Sequence, residues 1–230
     1  IAIAGTHGKS TTSGMLAVAL TEAGELPSFA VGATIRRLGV STQTGSGRIF
    51  VVEADEYDYS FLWLRPSVAV VTTVEYDHPD ISPPPDAVAD AFRRFAARIR
   101  PGGTLVTSAD DPGCRELVAS LPASGPRVVT FGFTPSADWR IERVAGWDHF
   151  TGPDGRTLRL RLQVPGSHNR LNAAAALAAA SAAGIDPFRL ATGLEAFDGV
   201  GRRFDVRGQA GGVTVIDDYA HHPTEIRATI

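Results

Sequence analysis

Apolar residues in this chain fall into two textures. Short unbroken runs occupy residues 1–4, 49–53, 68–73, 104–107 and 128–131. Between them lie longer stretches, 11–23, 86–100 and 112–120, in which apolar positions recur at helical spacing. Unbroken runs of this length predict strands buried on both faces, and helices between them predict parallel crossovers. The pattern as a whole predicts an α/β fold: a mostly parallel, doubly wound sheet flanked by helices.

After Gly132 the texture changes. Residues 140–144, 147–150 and 157–164 read as short antiparallel strands forming a small sub-sheet, with Asp154-Gly155 as a turn signal. Leu158, Leu160 and Leu162 alternate with Arg159, Arg161 and Gln163, so one face is buried and one is wet. An alanine-rich helix is expected at 173–183, stopped by Gly184, and another from Asp186-Pro187, an N-cap followed by proline in the first turn. Residues 208–212 read as an interdomain linker, and 213–216 with the loop 217–223 as the opening of a second domain. The expected division is 1–207 and 208–230. Residue 1 already lies in a strand and residue 230 in a helix, which suggests a piece of a longer protein.

Composition adds exclusions. With 43% apolar and 20% charged residues in 230, the chain can bury a sizeable core. A net charge of −3 with dispersed arginines gives no electrostatic reason to expect nucleic acid or a membrane surface as partner. The one cysteine, Cys114, excludes an internal disulfide and suits a reducing compartment. With neither a signal peptide nor an apolar run long enough to span a bilayer, the expected location is cytoplasmic.

Lysine usage is more informative. Lys9 is the single lysine among 22 Lys and Arg residues, and it follows the first apolar run in the string Gly5-Thr6-His7-Gly8-Lys9-Ser10-Thr11. Strand, glycine turn and helix in that order predict a phosphate-binding loop. Glycines let backbone N–H groups approach a polyphosphate, the helix N-terminus adds positive potential, and a lysine reaches the outer phosphates. Ser10 is placed to hold a magnesium ion. The loop is shorter than a full Walker A, whose first glycine would fall at Ile3.

Three further clusters follow apolar runs or open a helix. Glu53, Asp55, Glu56 and Asp58 put four carboxylates in six residues. Such a cluster is either a solvated loop or one neutralised by cations. Glu75 to Asp80 contains His78, either a surface imidazole or a metal ligand. Asn169 and Asn172 share the start of one helix face, where an amide either caps the helix or meets a base edge.

Six strings in one order, GTHGKSTT (5–12), EADEYDYSFLWLRP (53–66), VVTTVEYDHPD (70–80), PGSHNRLNAAAA (165–176), GVGRRFD (199–205) and DDYAHHPTEI (217–226), resemble the Mur ligase family. These are the ATP-dependent amide ligases of bacterial cell-wall synthesis. The resemblance implies a central ATPase domain followed by the start of a Rossmann-like C-terminal domain, with the N-terminal UDP-sugar domain absent. It implies ATP and two Mg2+ ions as cofactors. The implied reaction phosphorylates the lactyl carboxylate of UDP-N-acetylmuramate, and the amine of L-alanine then displaces phosphate from the acyl phosphate. A carboxylate nearing a triphosphate meets repulsion of about 4 kcal/mol at ~4 Å for an effective dielectric of ~20, so cations must screen it.

Carried over by motif, Gly5 to Thr11 would cradle ATP, with Lys9 on the outer phosphates and Ser10 on magnesium. Glu53 would bridge that ion and a second one ligated by His78. Asn169 and Asn172 would recognise adenine, Arg203 or Arg202 the phosphates, and Asp217 or Asp218 the ribose. Tyr219 and His221 would seat the amino acid, with Asp55 and Asp58 at the substrate edge. Several relatives use a carbamylated lysine for the second magnesium, and this chain has no lysine to spare, which points to the alanine-adding branch. Glu56-Tyr57-Asp58 also occurs in the branch that attaches a recycled tripeptide, while the continuation Ser60-Phe61-Leu62 and Arg65-Pro66 resembles the alanine-adding one. Thr73 stands where the family often has asparagine. A nucleotide-binding module without ligase chemistry is the other alternative, although the chain lacks the Asn-Lys-x-Asp string that reads guanine.

Overall fold

The computed structural model describes residues 1–75 and 85–229. Its main sheet has ten strands: β1 (Ala2–Ala4), β2 (Ser28–Ile35), β3 (Val40–Gln43), β4 (Phe50–Glu53), β5 (Val68–Val71), β6 (Thr104–Ser108), β7 (Arg127–Gly132), β8 (Trp139–Val144), β9 (Trp147–Thr151) and β10 (Thr157–Leu160). Their spatial order is β10-β9-β8-β7-β6-β5-β1-β4-β2-β3, parallel from β8 through β2 and antiparallel at both margins. The expected mostly parallel sheet with an antiparallel sub-sheet is therefore present. A separate hairpin, β11 (Asp205–Ala210) with β12 (Val213–Asp217), lies near the C-terminus.

Successive residues of the central strands feed two cores. Ile3, Val70 and Val106 face one, packed on α1 (Lys9–Glu22), α4 (Ser167–Ala182) and α5 (Ala191–Ala196). Ala2, Ala4, Ala69, Val71 and Leu105 face the other, under α2 (Pro85–Ala96) and α3 (Pro112–Ala119). Both faces are covered, which is why these strands read as unbroken apolar runs. Phe61, in a short 3-10 turn after β4, stacks on Phe95 at 4.9 Å and meets Phe92 edge-on at 5.6 Å. All three rings are fully buried. Burial of each is worth about 1.5–3 kcal/mol and pins the acidic loop 54–59 beside the end of β1.

The alanine run of α4 has a packing reason. Ala173 to Ala180 are all buried, and α4 lies against α1. Gly193 of α5 approaches α1 as closely, since a Cβ there would collide with the Cα of Ala19. Backbone cannot yield cheaply, so Gly193→Ala should destabilise the fold by about 1–3 kcal/mol. The check is a lowered urea midpoint at unchanged slope; an unmoved midpoint would refute the contact.

Two expectations are corrected. Residues 208–212 are not a linker: Gly208 pairs within β11, and Gly211 and Gly212, both at positive φ, turn the chain into β12. Glycine richness here marks a hairpin turn. The helix expected from Asp186 begins as a 3-10 turn, Pro187–Leu190, whose first N–H groups Asp186 caps through Phe188 N at 3.2 Å. β2 and β3 were not legible, because β2 mixes Gly32 and exposed positions into its run and so lacks both unbroken and alternating patterns.

Candidate nucleotide and metal site

From β1 the chain runs to β2, β3 and β4 on one side and returns to β5, β6 and β7 on the other, so the order reverses at β1. The crevice beyond the C-terminal ends of β1, β4 and β5 is where such sheets bind ligands. Three loops converge there, joined by the segment around α6 (Pro223–Thr229).

The loop after β1 is held from behind. Thr6 N donates to Thr73 O at 3.0 Å, His7 N donates to Thr73 Oγ1 at 2.9 Å, and Thr72 Oγ1 donates to His7 O. Thr73 thus anchors the loop through both its carbonyl and its hydroxyl. Gly5 sits at φ +129°, and a Cβ there would collide with Thr72; Gly8 sits at φ +81°, and a Cβ there would strike the Asn172 amide. Only glycine satisfies both demands at once. Gly8 precedes α1 with no side-chain cap, so the helix's first N–H groups are presented to the crevice. Lys9, Ser10 and Thr11 form that first turn, two residues earlier than the sequence pattern indicated.

The acidic loop separates into distinct roles. Glu53 Oε1 accepts from Ser10 Oγ at 2.8 Å, and Oε2 accepts from Gly32 N at 2.6 Å. A hydroxyl and a carboxylate side by side form a hard oxygen donor pair suited to magnesium. Lys9 Nζ donates to Gly5 O at 2.9 Å and pairs with Glu56 Oε1 at 2.8 Å. Burial pushes the Glu56 carboxyl above its ordinary range, and Lys9 only partly offsets this. Among the described residues, Glu56 Oε2 is buried with no hydrogen-bond partner. Asp55 and Asp58 point elsewhere, accepting from Tyr57 N and Ser60 N to close local turns. Were Lys9 to bind a phosphate, Glu56 would compete for it, and Glu56→Gln should then tighten ATP binding by about 3- to 10-fold in equilibrium titration. Weaker binding in that variant would show Glu56 to be needed in place.

Asn169 and Asn172 are brought together and buried behind the loop. Asn172 Oδ1 accepts from Thr12 Oγ1 at 3.2 Å, its Nδ2 donates to Asn169 Oδ1 at 3.1 Å, and Asn169 Nδ2 donates to Pro165 O at 2.6 Å. Asn169 is not the cap of α4; that position is Gly166.

Near the C-terminus, Arg203 Nη1 lies 3.2 Å from Glu225 Oε1, and Arg202 stacks over the Tyr219 ring at 4.6 Å. Asp218 accepts from Phe204 N and Ala220 N, while Asp217 pairs with Arg207 at 2.7 Å, on the hairpin. The His221 ring lies 5.2 Å from that of Tyr219. His7 joins this segment to the loop: Nδ1 is 3.2 Å from Glu225 Oε1 and Nε2 is 2.9 Å from Glu75 Oε2. Burial works against the His7 charge, but hydrogen bonds to Glu225 and Glu75 outweigh it and raise its pKa. Burial likewise works against the Glu225 carboxylate, yet His7 and Arg203 hold it down at about 2.

Residues 3–180 match the Mur ligase middle domain and residues 202–230 match the Mur ligase glutamate ligase domain. The chain belongs to the Mur ligase family. A UDP-N-acetylmuramate–L-alanine ligase of Paenarthrobacter aurescens (strain TC1) is 49% identical over 231 residues, covering 100% of this chain and 51% of that protein. The solved UDP-N-acetylmuramate-alanine ligase of Thermotoga maritima superposes with a TM-score of 0.79 at 30% identity, covering 99% of this chain and 52% of that one. A murein peptide ligase of Psychrobacter arcticus gives 0.81 at 28% identity, with 99% and 53% covered. The chain spans about half the length of the curated relatives it matches.

Within this Mur ligase architecture, Lys9, Ser10 and Glu53 lie at one end of the sheet, and Arg203 is linked to the loop after β1 through Glu225 and His7. His78 lies outside the described residues. Asp55, Asp58 and Asp217 are not drawn into the Lys9–Ser10–Glu53 cluster. Sequence reasoning missed Glu75 and Glu225, which tie His7 to β5 and α6. Their signal was present in the strings containing His78 and His221, where the histidines drew attention from the neighbouring glutamates. No helix among the described residues is long and apolar enough to cross a membrane.

Proposed function

We propose that the chain is the ATP-binding core of a cytoplasmic ligase that joins L-alanine to the lactyl carboxylate of UDP-N-acetylmuramate. The step belongs to peptidoglycan-precursor synthesis and runs through an acyl phosphate. The observation that carries this is the Lys9–Ser10–Glu53 cluster at the reversal of the sheet. It is supported by the alanine-ligase names of relatives 46–49% identical over nearly all of the chain.

The residues fit magnesium-bound ATP. Gly5 and Gly8 leave room that a Cβ would fill, and the Ser10 hydroxyl and Glu53 carboxylate offer oxygen donors. When bound, magnesium supplies the positive charge that lets a substrate carboxylate approach the phosphates. Ser10 and Glu53 would hold one ion, and Glu53 with His78 a second. Lys9 and the N–H groups of residues 5–11 would bind the outer phosphates, moving Lys9 off Glu56. Arg203 or Arg202 would face the phosphates, Asn169 and Asn172 the adenine side, and Asp217 or Asp218 the ribose. Tyr219 and His221 would seat L-alanine, with Asp55 and Asp58 at the substrate edge. The beginning of the next domain is proposed to include the whole β11–β12 hairpin, so the expected boundary at 207 moves to before Asp205.

A second reading, a ligase attaching the tripeptide L-Ala-γ-D-Glu-meso-diaminopimelate, draws on the likeness to the murein peptide ligase and on Glu56-Tyr57-Asp58. The discriminating assay is phosphate release by the protein at the full length of its relatives. UDP-N-acetylmuramate is supplied with each amino acid or the tripeptide in turn. Release is expected with L-alanine. A preference for the tripeptide would select the second reading, and release without any acceptor amine would refute ligase chemistry.

A further inference from the structure

The magnesium pair, Ser10 with Glu53, is built from oxygen atoms. On the other side of the phosphate loop lies a cluster of different chemistry. His7, Glu75 and His222 bring two imidazoles and a carboxylate together from three separate segments: the loop after β1, the loop after β5 and the turn before α6. One ligand atom from each lies within 4.8 Å of the other two. The two rings have centroids 4.8 Å apart, and both side chains are mostly buried, at 14% and 15% exposure. Glu75 is more open, at 41%, so solvent can reach a fourth position.

The surrounding bonds orient each ligand. His7 Nδ1 faces Glu225 Oε1 at 3.2 Å, so a carboxylate holds the proton there, while Nε2, hydrogen-bonded to Glu75 Oε2 at 2.9 Å, is the nitrogen that would exchange its proton for an ion. A carboxylate behind the far nitrogen of a histidine is the usual support of a metal-bound imidazole. Glu75 Oε1 accepts from Thr224 Oγ1 at 2.9 Å, leaving Oε2 beside both histidines. His222 Nδ1 lies 4.0 Å from Glu75 Oε2 and accepts a long hydrogen bond from Thr224 N at 3.3 Å, which an ion would have to displace to use that nitrogen. Two nitrogens and one oxygen, with an open fourth position, match a zinc-class divalent cation and not magnesium.

We propose that His7, Glu75 and His222 form a second, transition-metal site that binds a zinc-class ion and clasps the α6 segment onto the phosphate loop. The ion bridges residues 215 positions apart in the chain, a closure that hydrogen bonds alone now make. It is independent of the ligase reading, because it concerns binding of the metal itself.

The test titrates Zn2+ into the chain against a chromophoric chelator, in millimolar Mg2+ so that the oxygen site is saturated. One equivalent should bind, and His222→Ala should weaken it by at least about tenfold. His149→Ala, on β9, should change nothing. Substituted Co2+ should show the visible absorption of a four-coordinate site, absent in His222→Ala. Hydrogen exchange along β12 and α6 should slow with Zn2+ in the wild-type chain only. Should alanine unfold the segment by circular dichroism, His222→Asn keeps a side-chain acceptor for Thr224 N and serves instead. Equal Zn2+ affinity in wild-type and His222 variants, or binding fully displaced by Mg2+, would overturn the proposal.

Discussion

Lys9→Ala is expected to weaken ATP binding by about 30- to 100-fold, the equivalent of a charge-assisted hydrogen bond worth roughly 2–3 kcal/mol. The lysine is held at the loop by Gly5 O and balanced by Glu56. Losing it removes a cation from the loop and leaves Glu56 buried without its partner. Burial already pushes that carboxyl upward, so the fold of the variant is checked by circular dichroism before its affinity is read. Lys9→Arg should recover little, because a planar guanidinium does not fit a turn already closed around Gly5 and Gly8. Isothermal titration with ATP and magnesium measures both variants. A change below about threefold in Lys9→Ala would show that the loop binds phosphate without its lysine.

The second large effect concerns Glu53. Its carboxylate receives Ser10 Oγ and Gly32 N, one on each oxygen, so it is oriented before any ion arrives. Glu53→Gln keeps the shape but removes the charge, its oxygen still accepting from Gly32 N while the new NH2 faces the Ser10 hydroxyl where magnesium would sit. The magnesium concentration needed for half-maximal ATP binding should rise by about tenfold or more, while binding in EDTA stays the same. An unmoved magnesium midpoint would remove Glu53 from the metal site. Ser10→Ala should shift the midpoint in the same direction by less, since a neutral hydroxyl contributes less to a divalent ion than a carboxylate does.

The order of strands and helices was readable because β1, β5 and β6 are buried on both faces, leaving strong apolar runs. β2 was hidden because its burial alternates irregularly around Gly32. Of the hairpin at 205–217, the strand at 213–216 was readable, whereas β11 was hidden because nearly all of its residues are exposed and no apolar pattern marks it. At the site, Gly5, Gly8, Lys9 and Ser10 were legible from local spacing alone. Glu56 was visible within the acidic cluster, but its pairing with Lys9 depends on the fold of the loop around Phe61. The engagement of Asn172 with Thr12 and Gly8 likewise depends on α4 crossing α1, a contact between residues 160 positions apart. Glu225 illustrates the same limit. Its neighbours in sequence place it in the first turn of a helix, and only the fold brings it to His7.

The most direct test is a crystal structure of the chain with magnesium and a non-hydrolysable ATP analogue. The account predicts outer phosphates against the N–H groups of residues 5–11, Lys9 Nζ transferred from Glu56 to phosphate, and magnesium touching both Ser10 and Glu53. A nucleotide bound elsewhere, or bound in the crevice with Lys9 still paired to Glu56, would contradict it.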